Sequence, residues 1–268
     1  MKLSQATDIL SQAGIDDARL EARILFSEVG KVPKAELYGR DTECSCPELK
    51  TAVERRAARE PLQYVIGEVD FYRERYKVTP DCLIPRADTE ILVEEAVKRI
   101  PEGARFIDLC TGSGCIALSV LNNTPLTSAT AVDVSEGALT VAGENAERLG
   151  LTERIDFLKA DVLKGAVEGK FFAVLSNPPY VTTKAYGELM PEIYFEPEIA
   201  FLGGEDGLDF YRSILKNYRE SLEEDGFFGF EIGYDQKESI TSLAEENSMN
   251  IEIINDYSGN PRVAILKK

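Results

Sequence analysis

The residues best suited to chemistry in this 268-residue chain are the corner Asn177-Pro178-Pro179-Tyr180, the turn Cys110-Thr111-Gly112-Ser113-Gly114, and Asp133. The corner follows an apolar run, Phe171 to Leu175, that reads as a buried parallel strand stopping at Ser176-Asn177. Both prolines lack an N–H and hold φ fixed, and Pro178 biases Asn177 toward extended backbone, so the corner is stiff. The Asn177 side-chain oxygen and the Pro178 carbonyl are two acceptors side by side, which suits the two protons of a planar NH2 group. Tyr180 adds a flat ring that can stack on the same plane. A carboxamide or the exocyclic amine of a base fits such a corner; a plain strand-end turn is the alternative.

The second group is a glycine-rich turn between a predicted strand, ending at Cys110, and an apolar helix. Gly112 and Gly114 let backbone amides approach a ligand, and Asp133 ends the next strand where it could accept both ribose hydroxyls of an adenosine. Gly112-x-Gly114-x-x-Ala117 also satisfies the dinucleotide fingerprint, so the turn alone does not separate NAD from S-adenosylmethionine. The corner does separate them. Hydride chemistry commonly uses a histidine, and the chain has none. Methyl transfer needs only alignment of nucleophile, methyl carbon and sulfonium. An amide nitrogen is a poor nucleophile because its lone pair is delocalised. Acceptors at Asn177 and Pro178 would orient it and stabilise the positive charge that builds during attack. Asp161 follows the next strand where an adenine amine could bind, or it caps the following turn. Glu231, Gly233 and Gln236 either support the pocket or terminate a strand.

The elements that must position these residues alternate. Strands are expected near 105–110, 129–133, 155–159, 171–176, 227–232, 251–256 and 263–266, with helices at 115–121, 135–149, 208–223 and 235–247, the pattern of a doubly wound α/β sheet. Only Tyr257 to Pro261 separates the last two strands, too few residues for a crossover helix, so they should pair antiparallel. We therefore expect a seven-stranded, mostly parallel sheet with an antiparallel edge strand. Residues 1–65 read as a helical unit, with helices from Ala18 to Phe26 and from Pro47 toward Pro61; Arg55, Arg56 and Arg59 are expected on a solvated face. Residues 66–85 read as a linking β-hairpin, and 86–268 as the catalytic domain. At the mouth of its first helix Arg86, Thr89 and Glu90 are explained by pairing and capping, or they line a cofactor site. Met190 to Gly204 lacks periodicity and is expected as a loop over the site.

A formal charge of −17 argues against direct nucleic-acid binding and favours a basic protein partner or a small cationic or zwitterionic ligand. Five cysteines, an odd count with no secretory context, suggest a reduced intracellular chain. Lacking histidine, it excludes Ser-His-Asp, Cys-His and zincin chemistry. No segment has signal-peptide or membrane-spanning character, a cytoplasmic location is expected, and nothing demands more than a monomer.

Taken together, these stretches resemble the class I, Rossmann-like protein-(glutamine-N5) methyltransferases that modify peptide chain release factors. The likeness runs through Asp17-Ala-Arg-Leu20, Pro61-Leu-Gln-Tyr64, Leu83-Ile-Pro-Arg86 with Thr89-Glu90, Asp108 to Gly114, Val132-Asp133, Asn177 to Tyr180, Phe195-Glu-Pro197 and Gly203 to Arg212. The resemblance implies S-adenosylmethionine bound over Cys110, Thr111, Gly112, Ser113 and Gly114, with Asp133 on the ribose and Asp161-Val162 beside the adenine. It further implies that Asn177 and Pro178, with Pro179 and Tyr180, hold the glutamine amide of the Gly-Gly-Gln motif in class 1 release factors, a role in translation termination. The helical unit is expected to help recognise that partner. Departures from the family pattern are Cys110 for glycine, Ala87 for proline, Val162 for an aromatic and Ile232 for histidine. Two neighbouring activities share much of this pattern: glutamine methylation of a large-subunit ribosomal protein, and adenine-N6 methylation of DNA. A silent S-adenosylmethionine-binding scaffold would show a broken corner or a missing Asp133, and neither is seen.

Overall fold

The computed structural model describes residues 1–268, and the chain divides into two compact units. The first comprises Met1–Val69 with Met190–Phe195, the second Asp70–Leu189 with Glu196–Lys268.

The first unit is built from α1 (Leu3–Gln12), α2 (Ala18–Glu28), α3 (Pro47–Ala57) and the short α4 (Leu62–Ile66). Leu3, Ala6 and Leu10 of α1 close on Ala22, Leu25 and Phe26 of α2 and on Leu49 and Val53 of α3, spacings that place each set on one helical face. Helix α1 went unanticipated, since its buried stripe is short and includes an alanine. The solvated face expected for the arginines holds for Arg55, which is exposed, but not for Arg56 or the half-buried Arg59. Arg56 is buried, held by Glu21 at 2.5 Å and Glu192 at 3.1 Å, and Arg59 pairs with Glu192 at 2.8 Å. The arginines thus fasten α3 to α2 and to the turn at Pro191–Phe195.

Extended structure is confined to β1 (Glu68–Phe71) and β2 (Glu74–Lys77), a two-stranded sheet, rather than the whole stretch to 85. Tyr64 and Ile66 belong to α4, which Pro61 opens and Gly67, at φ 85°, closes. A five-residue helix is too short for its period to show.

The second unit continues with α5 (Glu90–Arg99), β3 (Arg105–Leu109), α6 (Cys115–Asn123), β4 (Ser128–Asp133), α7 (Glu136–Leu149), β5 (Ile155–Lys159), β6 (Phe171–Ser176), the single turn α8 (Thr183–Tyr186), α9 (Asp209–Tyr218), β7 (Leu222–Glu231), α10 (Lys237–Glu246), β8 (Asn250–Asn255) and β9 (Pro261–Lys267). The sheet has seven strands in the order β5-β4-β3-β6-β7-β9-β8. All neighbours are parallel except β9, which runs against both β7 and β8. The reversal expected at the edge is therefore carried one position inside it, because a short β8–β9 turn returns the chain into the space beside β7. Strand β7 begins at Leu222, where a helix was expected to continue to 223.

Alternation along β7 shows how the two helix layers are held. Phe228 and Phe230 face Tyr211, Ile214 and Leu215 of α9 and Ile240 of α10, whereas Gly229 between them approaches Leu92 of α5. Strand order reverses between β3 and β6, with β4 beside the one and β7 beside the other. The crevice at the carboxyl ends of strands flanking such a reversal is where open α/β sheets bind ligands.

Candidate active site

Register brings the separated groups together. Leu109 lies beside Val132 on one side and Ser176 on the other, so Cys110, Asp133 and Asn177 leave three adjacent strands at one level. They line a single cavity of about 450 Å³, with Gly112, Asp161, Val162 and Pro179. Thr111, Ser113 and Gly114 shape the turn without reaching its wall: both side chains are buried, and Gly114 packs on Ala142 of α7. Residues beyond those foreseen complete the lining, notably Leu83, Val134, Leu163, Leu202 and Phe210.

Asp133 is tied to the glycine turn. Its Oδ2 accepts from the Gly112 amide at 2.9 Å and its Oδ1 from the Ser135 amide at 2.9 Å. Burial raises its pKa, against the effect of these hydrogen bonds. Asp161 is the opposite case. Its side chain pairs with Lys164 at 3.0 Å and accepts from the Leu163 amide at 3.0 Å, and these contacts hold its carboxyl below the ordinary range.

Beneath the turn lies Asp108, wholly buried at the end of β3. Its Oδ2 accepts from Thr111 Oγ1 at 2.6 Å and from the Ala117 amide at 3.2 Å, supplying to α6 the cap that Gly114 has no side chain to give. Its Oδ1 has no partner. Burial pushes its pKa up to about 7, and nearby Asp133 adds to the rise. Asn145 of α7 braces the turn from outside, donating to the Ser113 carbonyl at 2.9 Å and the Lys77 carbonyl at 3.0 Å. Neither residue carries a local signal that sets it apart from an ordinary strand or helix residue.

Asn177 stands where two cavities meet. It also lines a smaller one, of about 90 Å³, with Pro178, Tyr180, Arg86 and Glu231. Its Nδ2 donates to Thr89 Oγ1 at 3.3 Å, and Thr89 Oγ1 in turn lies 2.5 Å from Glu231 Oε2. The Tyr180 hydroxyl donates to Glu231 Oε1 at 3.2 Å. Neither the Asn177 Oδ1 nor the Pro178 carbonyl is taken by a hydrogen bond within the chain. Of the two readings for Glu231, support of the pocket is the one that fits these contacts. The Thr89 side chain neither caps its helix nor lines the larger cavity, and instead joins Asn177 to Glu231. Gln236 also supports the corner, reaching the Tyr180 carbonyl at 3.4 Å and the Gly207 carbonyl at 3.2 Å.

Part of the stretch foreseen as a covering loop, Glu196 to Gly204, does form cavity wall, through Pro197, Ile199, Ala200, Leu202 and Gly204. Glu196 anchors it. This buried carboxylate pairs with Arg86 and accepts from the Ile84 amide at 2.9 Å. The wall then runs alongside the corner, the Val181 amide donating to the Phe201 carbonyl at 2.8 Å and the Gly203 amide to the Val181 carbonyl at 2.9 Å.

Known proteins resemble this chain in sequence and in fold. Residues 2–67 match the family model described as PrmC N-terminal domain, and residues 87–195 that of the methyltransferase small domain. A release factor glutamine methyltransferase from Thermodesulfovibrio yellowstonii is 40% identical over 257 residues, covering 92% of each chain. The chain belongs to the release factor glutamine methyltransferase family. Another member, from Moorella thermoacetica, is 38% identical over 97% of this chain and 95% of its own. As a member of the release factor glutamine methyltransferases the chain is an enzyme, a methyltransferase. A solved methyltransferase from Pyrococcus furiosus superposes with a TM-score of 0.53 over 71% of this chain and 86% of its own; at 21% identity it shows the fold alone. No helix is long and apolar enough to cross a membrane.

Proposed function

We propose that this enzyme transfers a methyl group from S-adenosylmethionine to the side-chain amide nitrogen of the glutamine in the Gly-Gly-Gln motif of class 1 peptide chain release factors. The observation that carries the reading is Asn177, shared by both cavities with its acceptor oxygen free. The larger cavity suits the cofactor. Its volume, about 450 Å³, lies within the usual range for small-molecule sites, and an acid at a strand end is set among apolar walls. Asp133 would take the ribose hydroxyls, Asp161 and Val162 would flank the adenine, and Cys110 and Gly112 would border the remainder, on a turn shaped by Thr111, Ser113 and Gly114. S-adenosylmethionine supplies a methyl group already activated on a sulfonium.

The smaller cavity suits the glutamine side chain. Asn177 Oδ1 and the Pro178 carbonyl accept its two amide protons, which fixes the plane of the NH2 and keeps its nitrogen directed at the methyl carbon. As the N–C bond forms, the methyl group's bond to the sulfonium sulfur would break, its electron pair kept on the sulfur as a neutral thioether. The positive charge on nitrogen would be met by those same oxygens, and the nitrogen would then lose a proton to water. Pro179 stiffens the corner and Tyr180 packs against the planar amide. The helical unit contributes to partner recognition, and the place of action is the cytoplasm, where translation terminates.

The test is incubation with labelled S-adenosylmethionine and, separately, a release factor, ribosomal proteins and DNA. Label in the release factor at the Gly-Gly-Gln glutamine is expected; label in DNA or a ribosomal protein instead overturns the reading. Asn177→Ala should retain cofactor binding while methyl transfer falls by roughly 100-fold or more, the scale of losing an oriented acceptor.

A further inference from the structure

Resting on that reaction, we infer that Thr89 and Glu231 are positioning residues that dictate which end of the Asn177 amide faces the substrate.

The reason is a proton count. A threonine hydroxyl has one proton to give and two lone pairs to offer. Thr89 Oγ1 has two polar neighbours, Glu231 Oε2 at 2.5 Å and Asn177 Nδ2 at 3.3 Å. As a carboxylate, Glu231 has no proton to donate, so the Thr89 proton is committed to it. Toward Asn177 the hydroxyl is then an acceptor only. An acceptor draws the NH2 end of the amide, and the oxygen end is turned to the substrate. With the amide reversed, Oδ1 would meet a lone pair of Thr89, and the Asn177 NH2 would be pointed at another NH2, donor against donor.

Each member of the relay is itself held. Thr89 is 2% exposed and Glu231 2%, so water does not compete for their hydrogen bonds. Glu231 Oε1 is occupied by the Tyr180 hydroxyl at 3.2 Å, leaving Oε2 for Thr89. Burial, the largest effect, raises the Glu231 pKa on balance, against the Thr89 and Tyr180 hydroxyls and the nearby Arg262 guanidinium, which favour the charge. The carboxylate form rests on geometry, each of its oxygens accepting one of those two hydroxyls. Selectivity follows. A fixed acceptor at Asn177 favours a carboxamide over the carboxylate of glutamate, which brings only further acceptors.

The experiment measures methyl transfer to the release factor by the wild type, Thr89→Val, Thr89→Ser, Asn177→Ala and the double variant, with cofactor affinity by calorimetry and folding by thermal melt. Thr89→Val is expected to lose about 10- to 100-fold in kcat, the scale of a misdirected reacting group, with cofactor affinity changed less than about twofold. Thr89→Ser, which keeps the hydroxyl, should stay within about threefold of wild type. In the Asn177→Ala background, followed by single-turnover labelling, removing the hydroxyl should add less than about twofold, because its effect passes through Asn177. Wild-type turnover in Thr89→Val, equal losses in Val and Ser, or a full loss persisting without Asn177 would each overturn the inference. If Thr89→Val does not fold, Thr89→Ala is read in the same way. A wild-type enzyme inactive on the release factor overturns the proposed reaction instead, so the two failures are distinct.

Discussion

Gly207 is pressed against Tyr180: a Cβ at this position would fall 2.3 Å from the Tyr180 carbonyl oxygen. Its φ of 75° is also one that side chains rarely adopt. Backbone-to-backbone packing of this segment is thus what holds the back of the corner, and Gly203 repeats it, a Cβ there falling 2.6 Å from the Pro179 carbonyl oxygen.

Gly207→Ala should therefore disturb the corner rather than merely the loop. A strained φ costs about 1–2 kcal/mol and forced overpacking about 1–3 kcal/mol. We expect a lower thermal midpoint together with a drop in methyl transfer. An unchanged midpoint would show that the loop yields freely.

Cys110 adopts φ 60°, in the left-handed region, at a position where the family pattern has glycine. Cys110→Gly removes that strain but loses the packing of a partly buried side chain, so its stability should stay within about 1 kcal/mol of wild type. Cys110→Val keeps the strain and adds a branch that tolerates it poorly, and should cost about 2 kcal/mol. Equilibrium urea unfolding of the pair separates the two effects.

Asp108 makes stability fall with rising pH. Its folded pKa of about 7 stands above the roughly 3.9 of an unfolded aspartate, so the fold holds the proton more tightly. Its contribution is complete below about pH 4 and is lost as pH rises through about 7. Asp108→Asn should remove that dependence. The stability difference, variant minus wild type, should rise by about 2–4 kcal/mol between pH 4 and 7 and then level off. Denaturant midpoints across this interval measure it; a flat difference would mean Asp108 ionises normally.

Arg56 and Arg55 are neighbours in sequence with different surroundings. The Arg56 side chain is 7% exposed between Glu21 and Glu192, while that of Arg55 is 42% exposed beside Glu60. Removing Arg56 leaves Glu21 without its partner and Glu192 with Arg59 alone, and Arg56→Ala should cost about 3 kcal/mol. Arg55→Ala should cost less than about 1 kcal/mol. Urea unfolding of both variants reads the contrast, and equal losses would contradict it.

What the sequence by itself determined is local. Apolar runs closed by turn residues state where β3 to β9 begin and end to within two residues, the early start of β7 excepted, and the stiffness of Asn177-Pro178-Pro179 and the acid at Asp133 need no neighbour to be recognised. The tertiary structure alone decided what each of these meets. Thr89 reaches Glu231 across 142 residues and Asn177 across 88, and Arg86 reaches Glu196 across 110. Such pairings depend on strand order and register, which place the ends of β3, β4 and β6 side by side. The same holds for Arg56, indistinguishable in sequence from a solvated arginine until α2 and the turn at Glu192 close around it. Period and turn chemistry act over a few residues, whereas burial and hydrogen-bond partners belong to the folded chain.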